Sequence, residues 1–125
     1  RDSSTSRGLG DVYKRQHQDF DKEFKRLSKK YSSLKADLSA LGKSLSENPD
    51  QGTSLGKGVR KVRMAIASKG KGKSHGARVI TYTETIVCAD NEGTVILLTI
   101  YDKADRDSIS AAEIDELLRS LRWEL

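Results

Sequence analysis

The stretch Thr94 to Tyr101 reads TVILLTIY and is apolar on both of its faces. A strand of that kind belongs in the middle of a sheet, flanked by other strands. Its neighbours in the chain supply them. Ala77 to Val87 is rich in Val, Ile, Thr and Tyr, the types that fit a pleated surface. Asp90-Asn91-Glu92-Gly93 makes the turn between these two runs. Upstream, Val59 to Ala67 alternates, with Val62, Met64 and Ile66 pointing one way and Lys61, Arg63 and Ala65 the other. A period of two predicts a strand with one buried and one open face.

Helical periodicity flanks these strands. Phe20, Phe24 and Leu27 are spaced i, i+4, i+7, behind a cap at Asp19 or Asp21. Leu34, Leu38, Leu41 and Leu45 form the stripe of a second helix, which stops at Asn48-Pro49 because proline disfavours helical geometry in the residue before it. A leucine stripe at this spacing is a core face. Residues 50–58, DQGTSLGKG, read as a loop. Ser110 with Glu113 forms a capping box that opens a last helix carrying Ile114, Leu117, Leu118 and Leu121. The order helix, helix, strand, strand, strand, helix predicts an α+β domain. An N-terminal antiparallel helix pair packs on an antiparallel sheet of three to four strands, with a C-terminal helix.

The chain has 125 residues, enough for one domain. Its first sixteen, RDSSTSRGLGDVYKRQ, are polar and without periodicity, and resemble translated sequencing-adapter or vector sequence. Residues 1–16 are therefore set aside as a non-native, disordered leader, and 17–125 form the domain. Val12 to Gln16 is the part of the leader able to stand in for a native first strand.

Net charge is +5, and its distribution is uneven. Gln51 to Thr83 contains no acid and eight cations: Lys57, Arg60, Lys61, Arg63, Lys69, Lys71, Lys73 and Arg78. The rest of the chain carries 15 basic against 18 acidic side chains. A field concentrated in this way attracts polyanions, nucleic acid first; the plainer reading is a solvated basic surface. No apolar run approaches the roughly 18 residues of a membrane span. A lone Cys88 and two histidines argue against an internal disulfide and a structural zinc site, which fits a reducing cytoplasm. Cys88 itself reads as a small core residue.

The most unusual local string is Ser68 to Tyr82, SKGKGKSHGARVITY. Gly72-Lys73-Ser74 invites comparison with a P-loop, but position 67 is Ala where that motif needs glycine, and a strand follows in place of a helix. A dinucleotide fingerprint from Gly70 fails at His75. What remains is a mobile cationic connection between two strands, whose lysines meet phosphates as point charges or merely keep the loop wet.

In segment order and in several strings, FDKEFKRLSKKYSSLKADLSAL, ENPDQGTSLGKGVRKVRMAI, SKGKGKSHGARVITY and VILLTIYDKADRDSIS, the chain resembles the RelE/ParE superfamily of bacterial type II toxins from about Phe20 to Leu121. The resemblance is to the RelE-like branch, and it implies a ribosome-dependent mRNA endonuclease. Such an enzyme enters the ribosomal A site and cuts by attack of the 2′-hydroxyl on the adjacent phosphorus, without metal or cofactor. It also implies a cognate antitoxin as partner. By the same resemblance Lys61 and Arg63 match the paired basic positions of the first strand, Arg78 the arginine opening the next, and Lys103 a further basic position. These types suit the chemistry, since a pentavalent phosphorane needs cations aimed at its developing charge, and a lysine acts as base when neighbouring cations lower its pKa. Arg60, Lys69, Lys71, Lys73, His75 and Tyr101 are the expected RNA contacts. The tyrosine that RelE carries past its last strand would fall near Ile109; Tyr101 and Tyr82 are the nearest aromatic residues. Two other readings stay open: a ParE-like toxin acting on DNA gyrase, and an inactive relative that binds RNA or an antitoxin without cutting.

Overall fold

The computed structural model describes residues 13–70, 72–85 and 93–124. Residues 1–12, Lys71, Cys88 and the Asp90-Asn91-Glu92 part of the expected turn lie outside the described residues.

The protein is α+β. Helix α1 (Gln18–Ser28) and helix α2 (Leu34–Glu47) precede an antiparallel sheet of β2 (Thr53–Gly56), β3 (Val59–Met64), β4 (Ala77–Thr85) and β5 (Gly93–Asp102), and helix α3 (Ala111–Glu124) follows. A short strand β1 (Tyr13–Gln16), from the end of the stretch set aside as a leader, pairs parallel with β5, giving the order β1-β5-β4-β3-β2. β5 is flanked on both sides, as its two apolar faces require.

Each face of the sheet has its own core. On one side Phe20 and Leu27 of α1 and Leu34, Leu41 and Leu45 of α2 pack on Val62, Met64, Val79, Val95, Leu97 and Ile100. On the other, Ile114 and Leu121 of α3 cover Val59, Ile80, Ile96, Leu98 and Tyr101. Emptying one such site, as in Leu45→Ala, costs about 2–5 kcal/mol. α1 is capped by His17, whose Nδ1 accepts the Asp19 N–H at 2.8 Å. Asp19 is thus displaced from the capping role expected of it, and its carboxylate takes the Thr99 hydroxyl at 2.7 Å. α3 starts as expected, with the Ser110 hydroxyl accepting the Glu113 N–H at 3.1 Å.

Two local features depart from the sequence reading. Residues 53–56, expected as loop, form β2; all four are exposed, so no alternation marks them. The β2–β3 turn places Lys57 (φ 57°) and Gly58 (φ 80°) in the left-handed region, as a type I′ hairpin turn requires. A lysine in that position gives little warning of such a turn. The second feature is a bulge in β5. Ile80 faces Thr99 but Thr81 faces Leu97, so Leu98 is an extra residue. From that point the alternation of β5 is inverted. Val95 and Leu97 share the helix-pair face with Ile100, while Tyr101 turns to the α3 face. Bulges re-aim side chains in this way. Among the described residues no helix is long and apolar enough to cross a membrane.

Candidate active site

The β3–β4–β5 ladder determines which cations meet. Arg63 stands directly opposite Arg78, Arg78 opposite Tyr101, and Lys61 opposite Ile80. Alternation puts Lys61 and Arg63 on one face of β3, and the partners of that face, Ile80 and Tyr101, belong to the α3-side core. Lys61, Arg63 and Arg78 therefore share a face, as the sequence suggested, and the bulge at Leu98 adds Tyr101 to their row.

The row is less open than expected. Arg63 is exposed and Lys61 half-buried, but Arg78 and Tyr101 are each only 4 % exposed. Arg78 Nη1 donates to the carbonyls of Lys73 (3.1 Å) and Ala77 (3.3 Å). Tyr101 lies in the core, where an RNA contact would need it on the surface. The guanidinium of Arg106 sits 5.1 Å from its ring centroid, held by Glu113 through two hydrogen bonds of 3.0 and 2.5 Å. The Tyr101 hydroxyl is buried without a hydrogen-bond partner, and burial pushes its pKa up.

The segment after β5 closes over this row. Lys103 Nζ lies 2.6 Å from Asp107 Oδ1. That bond holds the Asp107 carboxyl below its ordinary value, with further lowering through space from Lys61 and Arg78. A single carboxylate thus senses three of the four candidate catalytic cations, Lys103, Lys61 and Arg78. Ile109, near which the resemblance would put the RelE tyrosine, packs against the α3-side core.

The remaining sequence candidates divide. Arg60 is on the other face of β3, alternating with Lys61, and pairs with Asp50 at 3.5 Å; it is not part of the row. Lys73 is exposed and lines, with Arg63, a cavity of about 220 Å³ beside α2 that also includes Asp37, Leu41 and Ser44. His75 is exposed. Lys69 is turned inward. Its Nζ is 2.6 Å from Asp102 Oδ1 and 2.9 Å from the His75 carbonyl. Asp102 is fully buried and also accepts the Tyr31 hydroxyl at 2.5 Å and the Ala104 N–H at 2.9 Å. Burial alone would raise its pKa, but the hydrogen bonds from Lys69, Tyr31 and Ala104 outweigh that and bring it below the ordinary carboxylate value.

The glycine-lysine connection is therefore tethered, where a mobile flap was expected. It forms two 3₁₀ turns, Ala67–Lys69 and Lys73–His75. Gly70 (φ 68°) and Gly72 (φ 77°) supply left-handed backbone between them. Gly76 closes it: a Cβ there would lie 2.1 Å from the Met64 carbonyl oxygen, so only glycine lets β4 start this close to the end of β3. The Gly76 carbonyl in turn accepts the Lys103 N–H at 3.0 Å, fixing Lys103 at the end of the sheet.

Asp102, Tyr31, Asp107 and the Arg106–Glu113 pair were not foreseen. The only signal for Asp102 was an acid ending an apolar strand in TIYD; its link to Tyr31 spans 71 positions and leaves no local trace. Among the described residues no group of three or more His, Cys, Asp or Glu could hold a metal ion. Compared with known proteins, the chain matches no family model and no curated sequence.

Proposed function

We propose that the chain is the toxin of a type II toxin–antitoxin pair of the RelE-like kind, a ribosome-dependent mRNA endonuclease that works in the cytoplasm and cuts A-site codons without metal. The observation that carries this reading is the placement of Lys61, Arg63 and Arg78 on one face of the β3–β4 ladder, with Arg63 directly across from Arg78 and Lys103 following at the end of β5. A sheet face that gathers three cations, with a fourth at its end, suits a phosphodiester.

The roles follow from chemistry. Lys61 takes the proton of the 2′-hydroxyl as that oxygen attacks phosphorus. Arg63 and Arg78 bear on the equatorial oxygens of the phosphorane. Lys103, an ammonium half-exposed at the end of β5, gives its proton to the departing 5′-oxygen. The products are a 2′,3′-cyclic phosphate and a 5′-hydroxyl, so the reaction balances without water or cofactor. The basic face also fits an acidic, partly disordered antitoxin segment that folds on binding.

A second reading draws on the burial of Arg78: a relative that binds RNA or an antitoxin and does not cut. Primer-extension mapping of mRNA from cells expressing the chain separates the readings. Cuts inside translated codons that vanish in Lys61→Ala and Arg63→Ala support the nuclease. Cuts that survive both substitutions overturn this assignment of residues. Intact mRNA with DNA-damage signalling points to a gyrase-directed toxin, and intact mRNA without it to the non-cutting relative.

A further inference from the structure

At the end of the sheet where β5 finishes and β4 begins lies a cavity of about 460 Å³ lined by Tyr31, Lys69, His75, Lys103 and Ala104. No carboxylate is among these residues. Asp102 is beneath them, but it is fully buried and its oxygens already accept Lys69, Tyr31 and the Ala104 N–H. The acid serves to hold Lys69. Its ammonium is bonded to Asp102 and the His75 carbonyl and lies 5.3 Å from the Tyr31 ring centroid, so it is held at the wall of the cavity. Lys69 is only 15 % exposed, so its position is set by the fold, unlike that of a surface lysine. Lys30, 5.3 Å from the Tyr31 ring centroid, adds a further cation nearby. The contrast within the molecule is sharp. A cavity of about 400 Å³ beside the C-terminal half of β5, beyond its pairing with β1, is lined by Asp19, Glu23, Asp105, Glu113 and Glu116 against two arginines, and suits no anion.

We infer that the Tyr31–Lys69–His75–Lys103 cavity binds a second phosphate of the RNA chain, the one neighbouring the phosphodiester held at Lys61, Arg63 and Arg78. The inference rests on the nuclease reading for the identity of the chain it grips. Lys103 carries the adjacency. It lines this cavity, and its N–H bonds the carbonyl of Gly76, two residues before Arg78, so an anion in the cavity and one at Arg78 fit neighbouring phosphates of one strand. The tether of the glycine-lysine connection acquires a purpose on this view. Lys69 and His75 both lie in the segment joining β3 to β4, and the Lys69 ammonium, bonded to Asp102 and to the His75 carbonyl, makes a preformed wall.

The test compares uncleavable 2′-O-methyl dinucleotide, which has one phosphate, with the trinucleotide, which has two, and with inorganic phosphate. Binding is followed by NMR on the full chain at low salt. The expected result is that the trinucleotide binds about tenfold tighter than the dinucleotide and shifts the His75 ring signals. His75→Ala and Lys69→Gln should each remove most of that gain and leave dinucleotide affinity within about twofold; His75 is exposed, so its variant stays informative if Lys69→Gln fails to fold. Equal affinity of the two oligonucleotides for the wild type overturns the second site while leaving the first. Shifts of His75 with inorganic phosphate and no gain from the trinucleotide show a free-phosphate site and also overturn it. Failure of both oligonucleotides to bind removes the nuclease reading and this inference together.

Discussion

Arg63 and Arg78 face each other across the β3–β4 ladder as direct partners. Like charges directly opposite in a sheet destabilise it, so the pair is a cost to the fold unless an anion lies between its members. Arg63→Thr should therefore raise stability in urea by about 0.2–1 kcal/mol at low salt, while mRNA cleavage falls by about a hundredfold or more. Millimolar phosphate should stabilise the wild type more than the variant, since only a ligand that binds the folded state shifts the melt. A variant that is less stable and equally active contradicts both halves of this account.

Asp102 makes stability depend on pH in a direction its partners decide. Its folded pKa is depressed, so the stabilisation it gives is present above the unfolded value of about 3.9 and is lost as pH falls through the folded value. Lys69→Met leaves the carboxylate buried with Tyr31 and one N–H, at a cost of about 3 kcal/mol near pH 7. With the ammonium gone, burial prevails and the pKa rises. The variant should lose stability as pH climbs above about 4, whereas the wild type gains stability up to about that pH and then holds level. Thermal melts of both proteins between pH 3 and 7 would show opposite slopes, and parallel slopes would count against the tether.

Much of this arrangement was legible in the sequence. Period-two and period-3.6 patterns located β3 to β5 and all three helices, and the pairing of β3 with β4 brought Lys61, Arg63 and Arg78 to one face. Alternation alone failed at Leu98, where one extra residue reverses the faces of Tyr101 and Asp102; nothing in TVILLTIY distinguishes a bulged strand from a regular one. β2 was missed because an exposed edge strand needs no apolar residues. The inward course of Lys69 was hidden for another reason. A lysine among glycines reads as solvated, and its buried partner lies 33 positions away. Charge density marked the basic segment, but which of its cations are exposed was set by long-range packing.

Tyr101 is the nearest aromatic neighbour of Arg78 in the row, yet its hydroxyl is sealed without a partner. Tyr101→Phe removes an unsatisfied buried polar group and should stabilise the domain by about 1 kcal/mol. Since Lys103 is assigned the proton transfer, cleavage should stay within about threefold of wild type, whereas Lys103→Ala should lose about a hundredfold or more. Rates measured on translated mRNA decide this. A large loss in Tyr101→Phe, with folding intact, would move the acid role to the tyrosine and require the Arg106–Glu113 cover to open.

Asp107 occupies the field of Lys103, Lys61 and Arg78 in the absence of RNA. On the nuclease reading it competes with phosphate for these cations, and RNA would have to displace it. Asp107→Asn keeps the size of the side chain and removes the charge, so affinity for a 2′-O-methyl oligonucleotide should rise by about three- to tenfold at low salt, with a smaller gain as salt screens the site. In the wild type, lowering the pH should reproduce part of this effect only below about pH 4, because the ion pair with Lys103 holds the Asp107 pKa down. Fluorescence anisotropy at two salt concentrations measures both trends. Unchanged affinity in Asp107→Asn would mean that the carboxylate lies outside the path of the RNA, and its ion pair with Lys103 would then carry no information about the substrate.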